Sequence, residues 1–325
     1  MPGLAKAATG LALALVAGAA SAQTLTTLVT TPAEPVAIES VARSADGTLI
    51  LSSVWQGRLY RAEGDGGLTT ILEDSELGFY GLAADPERGV LYAVSAERPG
   101  RAGPGGTSLL RIDRASGAVI DRAMSPDPMS RFGDVAVGPD GSAYVADIRA
   151  LKIFVWRPGR ALETLAVLPE RASPQGMAVS ADGRWLVFAD YRNGLHRIDL
   201  AAVAQGPATL TAETYQPMTP PDAGELRGID GLARHGDSIL AMQNGTRTHR
   251  VLRLTMNGDW SAVTARQALV EGAPLSDPTT GFVEGDDLIF VSRSQWTDFG
   301  RDGPTTPTPA PAVVSRLSLI PETRP

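Results

Sequence analysis

Six copies of one short pattern occur along the chain, and this repetition constrains the fold more than any other feature. Each copy has a variable residue, a small residue, a Leu, Val, Met or Phe, usually an Ala, and then a turn followed by a second apolar run. The copies are ESVARSADGTLILSS (39–53), YGLAADPERGVLYAVS (80–95), GDVAVGPDGSAYVAD (133–147), QGMAVSADGRWLVFAD (175–190), DGLARHGDSILAMQ (230–243) and TGFVEGDDLIFVS (280–292). Repetition of a unit of this size is typical of arrays and propellers.

The pattern reads as paired β-strands joined by tight turns. Asp-Gly and Gly-Asp favour hairpin turns, and apolar runs rich in Val, Ile, Leu and Tyr favour strands. Several copies are followed by a third strand-like run that contains Arg, as in GRLYR, SLLRID, GLHRID and RVLRL. Six units over residues 23–325 give roughly 50 residues each, the size of a four-stranded blade. The sequence therefore predicts an all-β, six-bladed β-propeller, with an array of β-sandwiches as the alternative.

The two ends of the chain supply a way to close the ring. Residues 24–30 (TLTTLVT) and 313–320 (VVSRLSLI) are both strand-like and would pair within one blade. Residues 23–325 are thus expected to form a single domain. Pro- and Gly-rich insertions at 97–107, 200–226 and 295–312 are expected to be loops.

The first 22 residues have the features of a secretory signal peptide. Lys6 precedes an apolar run over 11–20, and Ala20-Ser21-Ala22 fits a cleavage site. An uncleaved membrane anchor is the alternative, but the run is short for a bilayer span. We expect a periplasmic or secreted protein that begins at Gln23 and does not associate with a membrane.

Composition narrows the classes of partner and chemistry. The chain has no Cys, which excludes disulfides, thiol nucleophiles and thiolate metal sites. Its formal net charge is −7, and loss of the single Lys in the leader would make it −8. The arginines are scattered rather than clustered, so nucleic acid is not an expected partner. A small-molecule substrate or ligand is expected instead.

In a propeller the first strand of each blade lines the channel, so the variable position of each repeat should lie at one channel mouth. These positions are Glu39, Tyr80, Gly133, Gln175, Asp230 and Thr280. The ends of the antiparallel second strands fall on the same face. They add Ser53, Asp147, Asp190, Gln243 with Asn244, and Ser292. The insertions at 97–107 and 295–312 also follow second strands, which makes this face the candidate functional face.

Two carboxylates in this ring have no basic partner among the ring positions. Glu39 and Asp230 would repel each other unless one binds a proton or a cation lies between them. With the amide oxygen of Gln175 they form a set of hard oxygen donors, which suits Ca²⁺ first, then Mg²⁺, and less well Zn²⁺ or Mn²⁺. Structural roles are the alternative: Glu39 could pair with an Arg of a neighbouring blade, and Asp230 could cap backbone amides.

Three other polar residues have structural interpretations. Asp147 and Asp190 are expected to fix loops, and His196 is expected to be a surface or hydrogen-bonded residue rather than a ligand. The sequence contains no nucleophile elbow, H-E-x-x-H or P-loop motif.

The chain resembles the senescence-marker-protein/gluconolactonase family, also called regucalcin-like, over nearly all of residues 23–325. In that family a Glu opens the first inner strand, as Glu39 does, and an Asp followed by Gly opens the fifth, as in IDGLA with Asp230. An Asn opens the third and the fourth strands. Here those positions hold Gly133, in RFGDVAVGPDG, and Gln175, in SPQGMAVSADG.

The resemblance implies a metal-dependent hydrolase that acts on a lactone or a related sugar-like ester. Glu39, Gln175 and Asp230 would bind the cation, and Asp230 would serve in catalysis as base or nucleophile. Tyr80, Gln243, Asn244 and the ring position Thr280 would contact the substrate. A non-catalytic propeller that binds a small ligand or a partner protein is the alternative.

Overall fold

Six small β-sheets surround one central channel in the computed structural model of this protein. Inner strands of neighbouring sheets contact each other around the whole ring, and the sixth returns to contact the first. The six-bladed β-propeller that the repeats predict is therefore confirmed. The residues that the structure describes are 23, 25–64, 66–100, 106–211, 214–218 and 225–320. The signal peptide expected at 1–22 lies outside them.

Strand bounds follow the repeats closely. From the channel outward, the strands of the first three blades are Ile38–Arg43, Leu49–Ser53, Arg58–Ala62 and Leu68–Glu73 (blade 1); Leu77–Asp85, Val90–Glu97, Ser108–Asp113 and Val119–Met124 (blade 2); Phe132–Val137, Ala143–Asp147, Lys152–Trp156 and Glu163–Val167 (blade 3). Those of the last three are Pro174–Val179, Trp185–Asp190 and Gly194–Asp199 (blade 4); Ile229–His235, Ser238–Gln243, Arg250–Met256 and Val263–Glu271 (blade 5); Gly281–Glu284, Asp287–Arg293, Val313–Ser318 and Leu25–Thr30 (blade 6).

The ring closes as predicted. Leu25–Thr30 pairs antiparallel with Val313–Ser318, so the first described strand completes the last blade. A sheet closed in this way joins residues far apart in sequence and leaves no gap between the first and last blades.

Blade 4 departs from the four-stranded pattern, with three strands in the part of the chain that the structure describes. After its third strand the chain forms a 3-10 turn, Ala202–Gln205, and then Ala208–Thr209 pairs in parallel with the outer strand of blade 3. The chain then returns, and the backbone N–H of Met218 donates to the Leu195 carbonyl at the edge of blade 4. The described part of this insertion therefore adds a short fifth strand to blade 3 and makes a backbone hydrogen bond to the edge of blade 4.

The hydrophobic core is divided among the blade interfaces. Six clusters of buried side chains are present, one between each pair of neighbouring blades. The second position of the repeat is small because neighbouring inner strands come very close there. A Cβ on Gly176 would lie 2.6 Å from the backbone oxygen of Asp230, and one on Gly231 would lie 2.7 Å from the Cα of Thr280. No helix in the described ranges is long and apolar enough to cross a membrane.

Candidate functional site

A β-bulge near the start of the inner strand places the variable residue of the repeat in five of the six blades. The strand register shifts across residues 39 in blade 1, 80–81 in blade 2, 133 in blade 3, 175–176 in blade 4 and 230 in blade 5. A bulged residue leaves the regular ladder, so its side chain can be redirected. These residues, Glu39, Tyr80, Gly133, Gln175 and Asp230, all line one cavity of about 450 Å³.

Thr280 does not join the other five ring residues. The ladder of blade 6 begins at Gly281 without a bulge, so nothing turns the preceding residue into this cavity. Thr280 instead lines a second cavity of about 220 Å³, formed by the later residues of the inner strands. Asp277, which precedes Thr280 in the chain, lines the first cavity instead.

Other residues of the cavity come from outside the repeat positions. Asn244 lines it, as the sequence predicts. Six more lining residues were not anticipated: Arg131, Ile148, Tyr191, Asp277, Trp296 and Thr297. The last two belong to the 295–312 insertion.

The 295–312 insertion also approaches the 97–107 insertion, since a Cβ on Gly100 would lie 2.7 Å from the Cα of Asp302. The described parts of both insertions therefore lie on the cavity side, as expected.

Glu39 is a half-buried acid whose described partner is an indole rather than an arginine. Its Oε2 accepts a hydrogen bond from Trp296 Nε1. Burial, followed by the charge of Asp230, raises the pKa of Glu39 well above its ordinary value, and the indole hydrogen bond opposes this. In the part of the chain that is described, Oε1 of Glu39 has no hydrogen-bond partner. The expected alternative of a Glu39–Arg ion pair is therefore not what the structure has.

Asp230 is held by a short chain of neutral groups. Asn244 Nδ2 donates to its Oδ2 at 2.7 Å and to the Pro278 carbonyl at 3.1 Å. The Tyr191 hydroxyl donates to Asn244 Oδ1 at 2.7 Å, which fixes the orientation of that amide. Burial raises the pKa of Asp230 to about 6, although the Asn244 hydrogen bond lowers it. Among the described residues, no backbone amide is capped by the Asp230 carboxylate, so the structural alternative is not what the structure has.

Asp277 is a third carboxylate of the cavity. It has a left-handed backbone conformation, with φ of 50°, which is uncommon for a residue other than glycine. Its backbone N–H donates to His249 Nδ1 at 3.1 Å, and its Oδ1 lies 3.6 Å from His249 Nε2. The charge of Asp277 contributes to the raised pKa values of Glu39 and Asp230. His249, one of the three histidines of the chain, therefore lies next to Asp277, which lines the cavity.

A fourth acid, Asp134, lies deeper in the channel. It follows Gly133, is 7 % exposed and lines the second cavity. Its Oδ1 is buried and has no hydrogen-bond partner among the described residues. Burial raises the pKa of Asp134 to about 7, although the nearby backbone N–H groups of Val135 and Met177 oppose the rise.

Arg131 is the cationic side chain among the residues that line the cavity. Its Nη2 donates to the Tyr80 hydroxyl at 2.9 Å, and its guanidinium lies over the Tyr80 ring at 5.7 Å. Tyr80 in turn donates to the Glu97 carbonyl at 2.7 Å. Arg131 forms no ion pair with any carboxylate in the described ranges, and its Nε is buried without a partner there. Next to this pair, Gly133 and Ile148 give the wall a non-polar stretch.

Several polar residues near the cavity have structural roles. Gln243 is fully buried and donates to the carbonyls of Glu225 and Arg227, so it does not line the cavity as a substrate-binding residue would. Asp147 Oδ1 accepts three backbone N–H groups, from residues 131, 149 and 150. Asp190 likewise accepts from the 192–193 turn and from the Tyr215 hydroxyl. Both aspartates therefore fix loops, as the sequence predicts.

His196 differs from expectation. It is 2 % exposed, stacks on Tyr215 with ring centroids 3.9 Å apart, and has no described partner for its Nε2. It is therefore neither a surface residue nor fully hydrogen-bonded. The returning 200–226 insertion buries it, and this burial lowers its pKa to about 4.

Fold and cavity together define this protein as a six-bladed β-propeller with an acidic, partly aromatic cavity at one channel mouth. No protein-family model matches the chain, and no curated protein matches it. Solved structures do resemble it.

Three of these structures illustrate the resemblance. A protein from Thermus thermophilus, described as a glucose dehydrogenase type of oxidoreductase, has a TM-score of 0.63 and 19 % identity over 91 % of this chain and 99 % of that one. The PQQ-bound aldose sugar dehydrogenase of Streptomyces coelicolor has a TM-score of 0.62 and 17 % identity over 92 % and 100 %. A gluconolactonase from Xanthomonas campestris has a TM-score of 0.58 and 16 % identity over 94 % and 93 %. At such identities the likeness establishes the shared propeller fold.

Proposed function

We propose that this protein is an exported hydrolase of a lactone or a related sugar-like ester, and that it uses a divalent cation. The observation that carries the proposal is the pair of half-buried carboxylates, Glu39 and Asp230, that line one cavity. Each has one oxygen engaged by a neutral donor and one oxygen without a described partner. Neither has an arginine or lysine among the described residues to balance it. A gluconolactonase among the structural neighbours supports the substrate class.

The donor set fits a hard cation. Carboxylate and amide oxygens are the ligands that Ca²⁺ prefers, followed by Mg²⁺; Mn²⁺ also accepts oxygen ligands, whereas Zn²⁺ binds imidazole and thiolate more readily. No three His, Cys, Asp or Glu side chains within the described ranges are arranged to hold a metal ion. Binding would therefore rest on Glu39, Asp230 and the amide oxygen of Gln175, which leaves positions open for a substrate.

When bound, the cation would supply Lewis acidity toward a carbonyl oxygen. Asp230 would act as the general base: it would take a proton from the attacking water as the new C–O bond forms, and it would return the proton to the ring oxygen as the ester C–O bond breaks. Asn244 engages one oxygen of Asp230, so the cation and this proton would use different lone pairs of the other oxygen. Arg131, which has guanidinium N–H groups beyond the one it donates to Tyr80, would donate to the substrate, whereas the hydroxyl proton of Tyr80 is already donated to the Glu97 carbonyl.

The test is lactone hydrolysis by mature protein after chelation and after return of Ca²⁺, compared with the Asp230→Asn variant. We expect the variant to lose roughly 10²-fold or more in rate, the scale for a general base, and to bind Ca²⁺ more weakly in calorimetry. Asp121→Asn is the control because it removes an exposed acid from the outer strand of blade 2. Wild-type protein whose melting temperature responds to none of Ca²⁺, Mg²⁺, Mn²⁺ and Zn²⁺, together with a destabilised Asp230→Asn, would contradict the proposal.

A non-catalytic propeller that binds a small ligand or partner protein is the second candidate. The observation that favours it is the non-polar stretch formed by Gly133 and Ile148. A Cβ on Gly133 would lie 2.9 Å from the Ile148 side chain. The cavity wall is therefore apolar at this ring position, where a polar side chain could have supplied a hydrogen-bond donor. Ligand binding without turnover or cation dependence would favour this candidate.

A further inference from the structure

Gln295 is a buried amide at the start of the 295–312 insertion, and all of its hydrogen-bonding groups are used. Its Oε1 accepts from the backbone N–H groups of Val36 and Ala37, both at 3.0 Å. Its Nε2 donates to the carbonyls of Glu34 at 3.1 Å and Ala310 at 2.9 Å. Only 2 % of the residue is exposed. One side chain thus ties both ends of the insertion to the segment that leads into blade 1.

The backbone of Gln295 has an unusual conformation. Its φ is 83°, in the left-handed region that residues other than glycine seldom adopt. Such a conformation persists where the surroundings fix it, and here four side-chain hydrogen bonds do so. The residue immediately precedes the 3-10 turn Trp296–Asp298, so its conformation sets the direction in which that turn leaves.

Both members of the Glu39–Trp296 hydrogen bond lie close to this amide in sequence. Trp296 is the next residue after Gln295. Glu39 is the second residue after Ala37, whose N–H the amide accepts. The tie therefore connects the loop that carries the indole with the strand that carries the carboxylate.

We propose that Gln295 is a positioning residue of the cavity: its amide fixes Trp296 against Oε2 of Glu39, so that Oε1 is the oxygen left for a ligand. The geometric part of this inference concerns the indole hydrogen bond alone. Its consequence for turnover rests on the proposed hydrolase function.

A second set of contacts could hold Trp296 without the amide. Phe299 lies between Trp296 and Trp55, with ring centroids 6.0 Å and 5.6 Å away respectively. If this aromatic cluster were sufficient, loss of the amide would leave the indole in place. The two arrangements therefore predict different results for a substitution at 295.

The test observes the indole N–H directly, by nitrogen-15 NMR of the mature protein. The chain has five tryptophans, and Trp296→Phe assigns the Trp296 signal. In Gln295→Met we expect this signal to move measurably in the proton dimension toward the position of a water-exposed indole, while the remaining indole signals stay. Gln295→Glu keeps the shape but removes both N–H donors. In Gln295→Glu we expect the Trp296 signal to move less, in the same direction. If Gln295→Met does not fold, the result for Gln295→Glu decides whether the amide positions Trp296.

Gln56→Met is the matched control, because Gln56 donates to the neighbouring carbonyl of Pro35 at 3.0 Å but makes no described contact with Trp296. It should leave the Trp296 signal unchanged. An unmoved Trp296 signal in a folded Gln295 variant would overturn the inference, since the aromatic cluster would then hold the indole alone.

Calcium affinity and lactone turnover form the second readout. If Gln295 positions the site, Gln295→Glu should lose about tenfold or more in Ca²⁺ affinity, the scale for disturbing a residue that orients a metal ligand, with Gln56→Met unchanged. A wild-type protein that binds no cation and hydrolyses no lactone refutes the proposed function, and the NMR result still decides the role of Gln295. A wild type that does both, with a Gln295→Glu variant equal to it in both, refutes the positioning role instead.

Discussion

Asp134 provides a test of the channel electrostatics that does not depend on any assigned activity. Its pKa is raised by burial from 3.8 to about 7, and its Oδ1 has no described partner. The native state therefore keeps a proton that the unfolded chain releases at lower pH. The contribution of Asp134 to the free energy of unfolding must then fall as the pH rises from about 4 to about 7. It should be lowest above about pH 7.

The size of the effect follows from the displacement of the pKa. A displacement from 3.8 to about 7 corresponds to roughly 4 kcal/mol of lost stability at high pH, because one pKa unit is about 1.4 kcal/mol. Asp134→Asn keeps the shape and removes the titration. The variant should therefore gain roughly 3 kcal/mol relative to wild type between about pH 5 and about pH 8. The other channel acids are present in both proteins, but the charge of Asp134 contributes to the raised pKa of Glu39, so its removal adds to the gain of the variant in the same direction.

The assay is urea unfolding at about pH 5, 6, 7 and 8 in the presence of a chelator, with equal m-values required before free energies are compared. Asp121→Asn, at an exposed position, is the control and should show no comparable trend. A stability difference between Asp134→Asn and wild type that does not change with pH would refute the reasoning. So would a variant that becomes less stable relative to wild type as the pH rises.

Two further predictions concern the blade contacts and the chain terminus. Gly176→Ala should destabilise the fold by about 1–3 kcal/mol, the usual cost of overpacking, because the added Cβ would lie 2.6 Å from a backbone oxygen of blade 5. Urea unfolding measures this loss of stability, and an unchanged midpoint would contradict the close approach. Protein recovered after export should begin at Gln23, since Ala20-Ser21-Ala22 fits a cleavage site; an intact mass that retains Met1 would contradict this.

The fold could be predicted from sequence because the repeats carry both the strand period and the blade count. The same alignment located Glu39 and Asp230 correctly at one cavity, since the repeat position coincides with a bulge in both of their blades. It failed for Thr280 because blade 6 lacks that bulge, and a bulge depends on the pairing of two strands rather than on one residue type. Blade 4 has an insertion in place of a described fourth strand, and no periodicity reveals the path of that insertion.

The residues that sequence reasoning missed lie outside the repeated positions. Trp296 reaches Glu39 from a Pro-rich insertion across 257 residues of chain, and no local pattern indicates such a contact. Asp277 lies just before the inner strand of blade 6. It precedes the repeat position Thr280, so the alignment of the repeats does not include it. A signal was nevertheless present for Arg131, which directly precedes Phe132 and the ring position Gly133, so that its side chain could be expected near the ring.

The absence of arginine from the acidic side of the cavity, among the described residues, is informative because the chain uses arginine freely elsewhere. The exposed Glu73 and the half-buried Asp199 pair with arginines on their own blades. Glu39 and Asp230, which are also half-buried and repel each other, receive only an indole and an amide. Leaving them without a countercharge lowers the stability of the free protein. A positively charged ligand that bound the folded state alone would restore stability, by an amount that grows with the logarithm of its concentration relative to its Kd. The closed ring, with a hydrophobic cluster at each blade interface, is a scaffold able to tolerate this unfavourable site.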